Sequence, residues 1–288
     1  LLEQLGVWSP GEKLHLSVNN QSKRRYTGPI SMHVSSKPLP MGSLCNIAPG
    51  IDVFSPAMIA DQYANCHSFG EGYAFFEELC SEITFAEPGY KDWLADSDSE
   101  DISNEEPIAA SSTSISIPKM RYFKCNAALA PSELNNWIKR INWCPGHIQA
   151  RSIAPYVLGD ARSPMEIMMF GMLCLPMSRG GFACEGGISN YRINFNEEAT
   201  AVSSMPYAIG DLVFPASNEI LEYKDHPMGF RVTAINNEQI KDAAALEAIA
   251  KRLYRQAGLR FRYYIDAYRT RQYQLMRELT TWMQGQSE

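Results

Sequence analysis

The 288-residue chain has no long hydrophobic run; nothing approaches the roughly 18 uncharged apolar residues of a membrane span, so none is expected. No charged, apolar and cleavage-site succession opens it, which argues against a signal peptide. Paired cysteines are also missing. The seven present, Cys45, Cys66, Cys80, Cys125, Cys144, Cys174 and Cys184, are odd in number and none stands in C-x-x-C spacing. That excludes a zinc ribbon and a disulfide framework. Most read as small buried hydrophobes, and the expected compartment is the reducing cytoplasm. There is no P-loop, no G-x-G-x-x-G after a strand, no H-E-x-x-H and no G-x-S-x-G, which sets aside the chemistries those motifs carry. Gly180-Gly181 and Gly186-Gly187 read as turn glycines.

The charge is unevenly distributed. Asp92, Asp96, Asp98, Glu100, Asp101, Glu105 and Glu106 stand against Lys91 alone, and this one segment accounts for the whole net charge of −6. The balanced remainder can still present a basic face to an anionic partner. Length predicts two domains. Composition divides the chain into a small mixed α/β domain over 1–88, an acidic, Ser-rich linker over 89–118, and a domain with a helical tail over 119–288. The linker cannot bury enough apolar surface to order itself and reads as a solvated tether; a lid mimicking DNA over a basic cleft is the rival reading.

In the first segment, 13–18, 30–34 and 51–54 alternate like strands. Ser55-Pro56 opens a helix to about Cys66, and a second is expected from Gly70 to about Ile83. Further helices are expected from Pro131, from His147 to Val157 and from Ser163. Ile167 to Leu175 is apolar throughout and reads as a buried helix. Gly180-Gly181-Phe182 reads as a turn entering a strand, and Tyr191 to Phe195 alternates. Two tail helices are predicted, 238–256 and 261–283, the first stopped by Gly258.

Chemistry concentrates in one hairpin. Leu212-Val213-Phe214 runs in, Pro215-Ala216-Ser217-Asn218 turns, and Glu219-Ile220-Leu221-Glu222 runs out. A turn centred between Ala216 and Ser217 sets Val213 opposite Ile220 and Asp211 opposite Glu222, with Cβ atoms about 4.5–5.5 Å apart. Lys224, two residues on, shares that face. Opposed carboxylates destabilise a sheet unless a cation joins them, and hard oxygens are what Mg²⁺ takes. A solvated strand edge is the alternative for an acid-x-Lys pattern.

Asp211, a strand, then Glu222-x-Lys224 resembles the catalytic core of the PD-(D/E)xK nuclease superfamily, in particular its very-short-patch-repair-like endonuclease branch, over about residues 150–260. The resemblance implies an α+β, restriction-endonuclease-like mixed sheet flanked by helices, and hydrolysis of phosphodiesters. It implies Asp211 and Glu222 as ligands of Mg²⁺ (or Mn²⁺) and Lys224 as the water-positioning cation. Glu166, on the leading helix, matches a third acid that the family often carries. It has a second explanation, because Ser163, Pro164 and Glu166 also form a capping box. After Glu-x-Lys the family has a crossover helix. Here only Asp225-His226-Pro227-Met228-Gly229 precedes the next apolar run, so the strand at 230–235 is expected to lie antiparallel to 219–224 or elsewhere in the sheet. The N-terminal half, a strand pair followed by Ser55-Pro56 and helices, is similar to AbiEi-like bacterial defence proteins.

Lys251, Arg252, Arg255, Arg260, Arg262, Arg269 and Arg271, with Arg277, crowd a stretch whose only acid is Asp266. Tyrosines are interleaved with them, a pattern suited to phosphate contacts and base stacking; a solvated helix face with inward tyrosines is the alternative. The expected partner is nucleic acid, DNA in the first place, with no membrane; a homodimer or a partner protein of a defence module is the expected protein contact. Two functions follow: a Mg²⁺-dependent nuclease, or a catalytically degenerate relative acting as a DNA-binding, antitoxin-like regulator. A protein-interaction module without either activity is the third reading.

Overall fold

The computed structural model describes residues 11, 13–23, 28, 30–35, 37–85, 122–141, 147–195, 197, 200, 201, 206–223, 232–263 and 267–285. The 89–118 linker, Lys224 and His226 lie outside them. The fold is α+β. Strands β1 (Leu14–Val18) and β2 (Ile30–Val34) pair in parallel, and β3 (Leu44–Ala48) and β4 (Ile51–Phe54) pair antiparallel. Helices α1 (Pro56–Cys66) and α2 (Phe69–Leu79) follow, then β5 (Ile83–Thr84), which pairs with β6 (Phe123–Lys124). Next come α3 (Pro131–Arg140), α4 (His147–Ile153) and α5 (Pro164–Cys174). The chain then builds β7 (Ile188–Asn194), β8 (Tyr207–Phe214), β9 (Glu219–Tyr223) and β10 (Val232–Ile235), and ends in α6 (Asn237–Ile240), α7 (Ala243–Gln256) and α8 (Tyr268–Gly285).

Local chemistry sets many of these boundaries. The Met58 N–H bonds to Ser55 Oγ at 3.3 Å, so the Ser-Pro start of α1 forms as read. A reciprocal cap of Ser68 and Glu71 opens α2. That helix stops at Leu79 rather than running to Ile83. The reason is a neighbouring loop: the Asp160 N–H bonds to the Cys80 carbonyl and the Glu82 N–H to that of Ala161, drawing the chain out into β5. The final helix starts at Tyr268, not Phe261, because Phe261 and Tyr263 are held among Phe182, Tyr254 and Tyr268 in an aromatic cluster. Phe182 enters irregular chain, and the strand begins only at Ile188.

The core is built around α5, whose residues from Pro164 to Leu173 are all buried. A helix apolar on every side is one surrounded by protein, and α2, α7, α8 and β8 all pack on it. Gly171 allows the closest approach; a Cβ there would stand 2.9 Å from Tyr73 Cε1. Buried residues of α1 and α2 belong to the same core cluster as those of α5, α7 and α8, so the helices of the 1–88 segment and the 119–288 segment share one interior. No described helix is long and apolar enough to cross a membrane.

The sheet order is β10-β9-β8-β7. The hairpin register is the one expected, with Val213 opposite Ile220 and Leu212 opposite Leu221. The expectation for 230–235 is corrected: β10 lies beside β9 and parallel to it, with Val232 opposite Ile220 and Ile235 opposite Tyr223. Only four residues pair, so residues 224–231 need carry the chain back by about 10 Å at 3.3 Å per residue. That connection is shorter than the dozen or more residues usual for a parallel crossover.

Candidate active site

Two strands and one helix start bring the predicted acids together. Asp211 is in β8 and Glu222 in β9, and the hairpin register, carried one position beyond Leu212 and Leu221, sets them opposite each other. The Asp211 backbone N–H bonds to the Glu222 carboxylate. Gly210 makes this closeness possible, because a Cβ there would lie 2.8 Å from Ile220 Cγ2 and 3.6 Å from Glu222 Oε1. A side chain at 210 would therefore push directly on the strand that carries Glu222.

Glu166 serves the helix and the acidic group at once. Its N–H bonds to Ser163 Oγ at 3.3 Å, the expected N-cap. Its carboxylate accepts from Ser163 Oγ at 2.8 Å and reaches one residue past the cap to the Arg162 N–H at 3.0 Å. It is buried, and it feels the charge of Asp211. Burial, then Asp211, pushes the Glu166 carboxyl up to about 7; the bonds from Arg162, Ser163 and Asn190 pull the other way. Glu222 is pushed up to about 7 by burial, then by Asp211 and, more weakly, by Glu166, with the Asp211 N–H opposing. The β8–β9 register sets Asp211 beside Glu222, and Asn190, across from Asp211, reaches Glu166, so the three carboxyls lie on neighbouring elements. Carboxyls whose affinity for protons is raised by burial and by one another mark a candidate functional site.

As a donor set these residues suit a hard divalent cation, since all are oxygen ligands and the local field is negative. Among the described residues, no three His, Cys, Asp or Glu side chains already stand in a metal-binding arrangement.

Asn190 joins this site without any motif to announce it. It lies in β7 between the pairs Ser189–Leu212 and Tyr191–Gly210, which puts it across from Asp211. Its φ of 43° is left-handed. Its Nδ2 donates to the Asp160 carbonyl and, at 3.4 Å, to Glu166 Oε2. An Asn breaking an alternating strand is the one trace in the sequence, because Asn is depleted in strands and tolerates the left-handed region.

The predicted basic residues divide into two groups. Arg252 Nη2 pairs with Glu219 Oε1 at 2.9 Å and donates to Thr233 Oγ1 at 2.6 Å, bridging α7 to β9 and β10. Lys251 pairs with Glu247, one helical turn back, at 2.5 Å. Arg271 Nη1 donates to the Ser178 carbonyl at 2.6 Å. Arg255, Arg260, Arg262 and Arg269 are exposed. Two of the tyrosines face inward, the Tyr254 hydroxyl donating to the Ala183 carbonyl and that of Tyr268 to Gly181, while Tyr263 and Tyr273 are exposed.

Because Glu219 is fully buried, Arg252 has a structural duty that its sequence neighbours lack. Removing one partner of a buried pair leaves an uncompensated charge, at a cost of up to about 3–5 kcal/mol, less where the partner is partly exposed as Arg252 is. Arg252→Ala is expected to lower stability by roughly 2 kcal/mol in urea unfolding, whereas Arg255→Ala should leave the midpoint unchanged. Equal midpoints for the two variants would show that the Glu219 pair is dispensable.

No protein-family model, curated protein or solved structure matches the chain. The site's own geometry therefore carries the functional reading.

Proposed function

We propose that this chain is a Mg²⁺-dependent, nuclease-like protein that hydrolyses phosphodiesters in DNA, working in the cytoplasm as part of a defence module. The convergence of Glu166, Asp211 and Glu222 at the start of α5 and on β8 and β9 carries this reading. The element order supports it as well: a leading helix, three antiparallel strands of which the second and third bear Asp211 and Glu222, and a fourth strand returning parallel. Asp211, Glu222 and Glu166 would hold the ion, which when bound supplies positive charge for the phosphoryl oxygens and makes a water more acidic. Lys224 would position that water. The exposed Arg255, Arg260, Arg262 and Arg269 would hold the nucleic-acid backbone by neutralising phosphates.

The decisive experiment is incubation of purified protein with supercoiled plasmid in millimolar Mg²⁺ or Mn²⁺. Nicking or linearisation that EDTA stops supports the proposal. Binding should fall with salt, and the slope of log K against log salt should shrink by about 1 for each exposed phosphate-contacting arginine replaced by alanine. A slope unchanged in the four-arginine variant would move the DNA contact elsewhere on the surface.

One observation favours a second reading. Only the residues numbered 224–231 separate β9 from β10, fewer than the dozen or so of a helical crossover. A degenerate protein acting as a DNA-binding, antitoxin-like regulator would show the same salt dependence and no cleavage in either metal.

A further inference from the structure

We infer that Asn190 is a positioning residue of the acidic site, aligning Glu166 through its amide N–H₂ and presenting its carbonyl oxygen to the hydrated divalent cation. The inference rests on the metal-dependent reading above and adds to it a neutral residue outside the acid-strand-Glu-x-Lys pattern.

Four observations converge on it. First, the side chain has a defined orientation. The Asp160 carbonyl can only accept, so the edge of the amide facing it is the donor edge. The same group reaches Glu166 Oε2. Second, Oδ1 therefore points the other way; it is buried and has no hydrogen-bond partner. A buried amide oxygen left unpaired forfeits its solvation, so its persistence calls for an explanation such as an ion or water. Third, the backbone is strained to achieve this arrangement. Asn190 at φ 43° and Asp160 at φ 57° are both left-handed non-glycine residues, and they meet each other through the hydrogen bond. Strain of this kind persists where the surroundings over-determine it, often at functional sites. Fourth, the strand position is across from Asp211, so the amide lies between the helix that supplies Glu166 and the strand that supplies Asp211.

A structural explanation and a positioning explanation make different predictions for glycine. If Asn190 is present only because the backbone needs a left-handed residue, Asn190→Gly satisfies that need without strain. The test is Mn²⁺ binding to the full chain by electron paramagnetic resonance. The part of the binding abolished by Asp211→Ala defines the site, and thermal melting checks that each variant is folded. Asn190→Gly is expected to bind Mn²⁺ at that site at least about tenfold more weakly than wild type. Wild-type affinity in Asn190→Gly overturns the inference. If the wild-type chain takes up no Mn²⁺ at a site dependent on Asp211, the metal-dependent reading fails and this inference fails with it. If wild type binds and glycine binds equally well, only the role of Asn190 is lost.

Discussion

Replacing Asp211 with alanine is expected to reduce Mg²⁺-dependent plasmid cleavage by about 10³-fold or more. Asp211 is the residue through which the other two acids are coupled: it raises both Glu166 and Glu222, and its N–H bonds to the Glu222 carboxylate. Removing it takes away a ligand from the centre of the group. A cation's stabilisation of developing charge is worth several kcal/mol; losing about 4 kcal/mol of it corresponds to about three decades of rate. Asp211→Asn is the companion variant, nearly isosteric but without the charge, and should lose almost as much. Melting temperatures within a couple of degrees of wild type would separate lost chemistry from lost fold. An Asp211→Ala protein that cuts plasmid at the wild-type rate would remove the nuclease reading altogether.

The second large effect concerns stability and a residue away from the acidic site. Glu77 is fully buried in α2. Its Oε1 accepts from the Tyr73 hydroxyl at 2.6 Å and the Leu158 N–H at 2.9 Å, and its Oε2 from the Gly159 N–H at 2.8 Å. It thereby ties the 158–160 loop to the helix, and Asp160 in that loop carries the carbonyl to which Asn190 bonds. Glycine is required at 159: φ is 73°, and a Cβ would meet the Cys80 carbonyl oxygen at 2.7 Å. Glu77→Ala would leave the buried Tyr73 hydroxyl and Gly159 N–H, and the half-buried Leu158 N–H, without their acceptor. At about 1–3 kcal/mol for each unsatisfied group, partly relieved by relaxation, a total loss of roughly 3–5 kcal/mol is expected.

That loss should depend on pH, and its sign follows from the direction of the shift. Burial pushes the Glu77 carboxyl up to about 7 from an ordinary value of 4.5, although its three hydrogen bonds oppose the change. The folded chain thus holds this proton more tightly than the unfolded chain. The contribution is fully present below about 4.5 and is lost as pH rises through about 7. The stability gap between wild type and Glu77→Ala should therefore be wider at pH 5 than at pH 8. Urea unfolding at the two pH values measures it. A gap that is the same at both, or that widens toward pH 8, would show that Glu77 keeps its charge throughout.

The hairpin and the start of α5 were legible because their signals are local. Pro215 to Asn218 sets a turn, the turn sets the register, and the register sets Asp211 across from Glu222. Ser163-Pro164 starts a helix whatever surrounds it. The arginines were harder to read. Nothing in the sequence near Arg252 distinguishes it from Arg255, yet one meets buried Glu219 and the other is exposed. Helical phase sorts them only once it is known which side of α7 faces the sheet.

The sequence by itself determined the caps, the buried α5, the β8–β9 register and thus two of the three acids. Tertiary structure alone decided that Glu166 turns its carboxyl toward them, that Asn190 stands between helix and strand, that β10 returns parallel to β9, and that Glu77 ties the 158–160 loop to α2. The physical reason is range. Caps and turns are settled by hydrogen bonds spanning two to four residues, which a short window contains. The other features depend on groups far apart in the chain, such as Glu77 and Gly159 or Glu166 and Asp211, that meet only when the shared core closes.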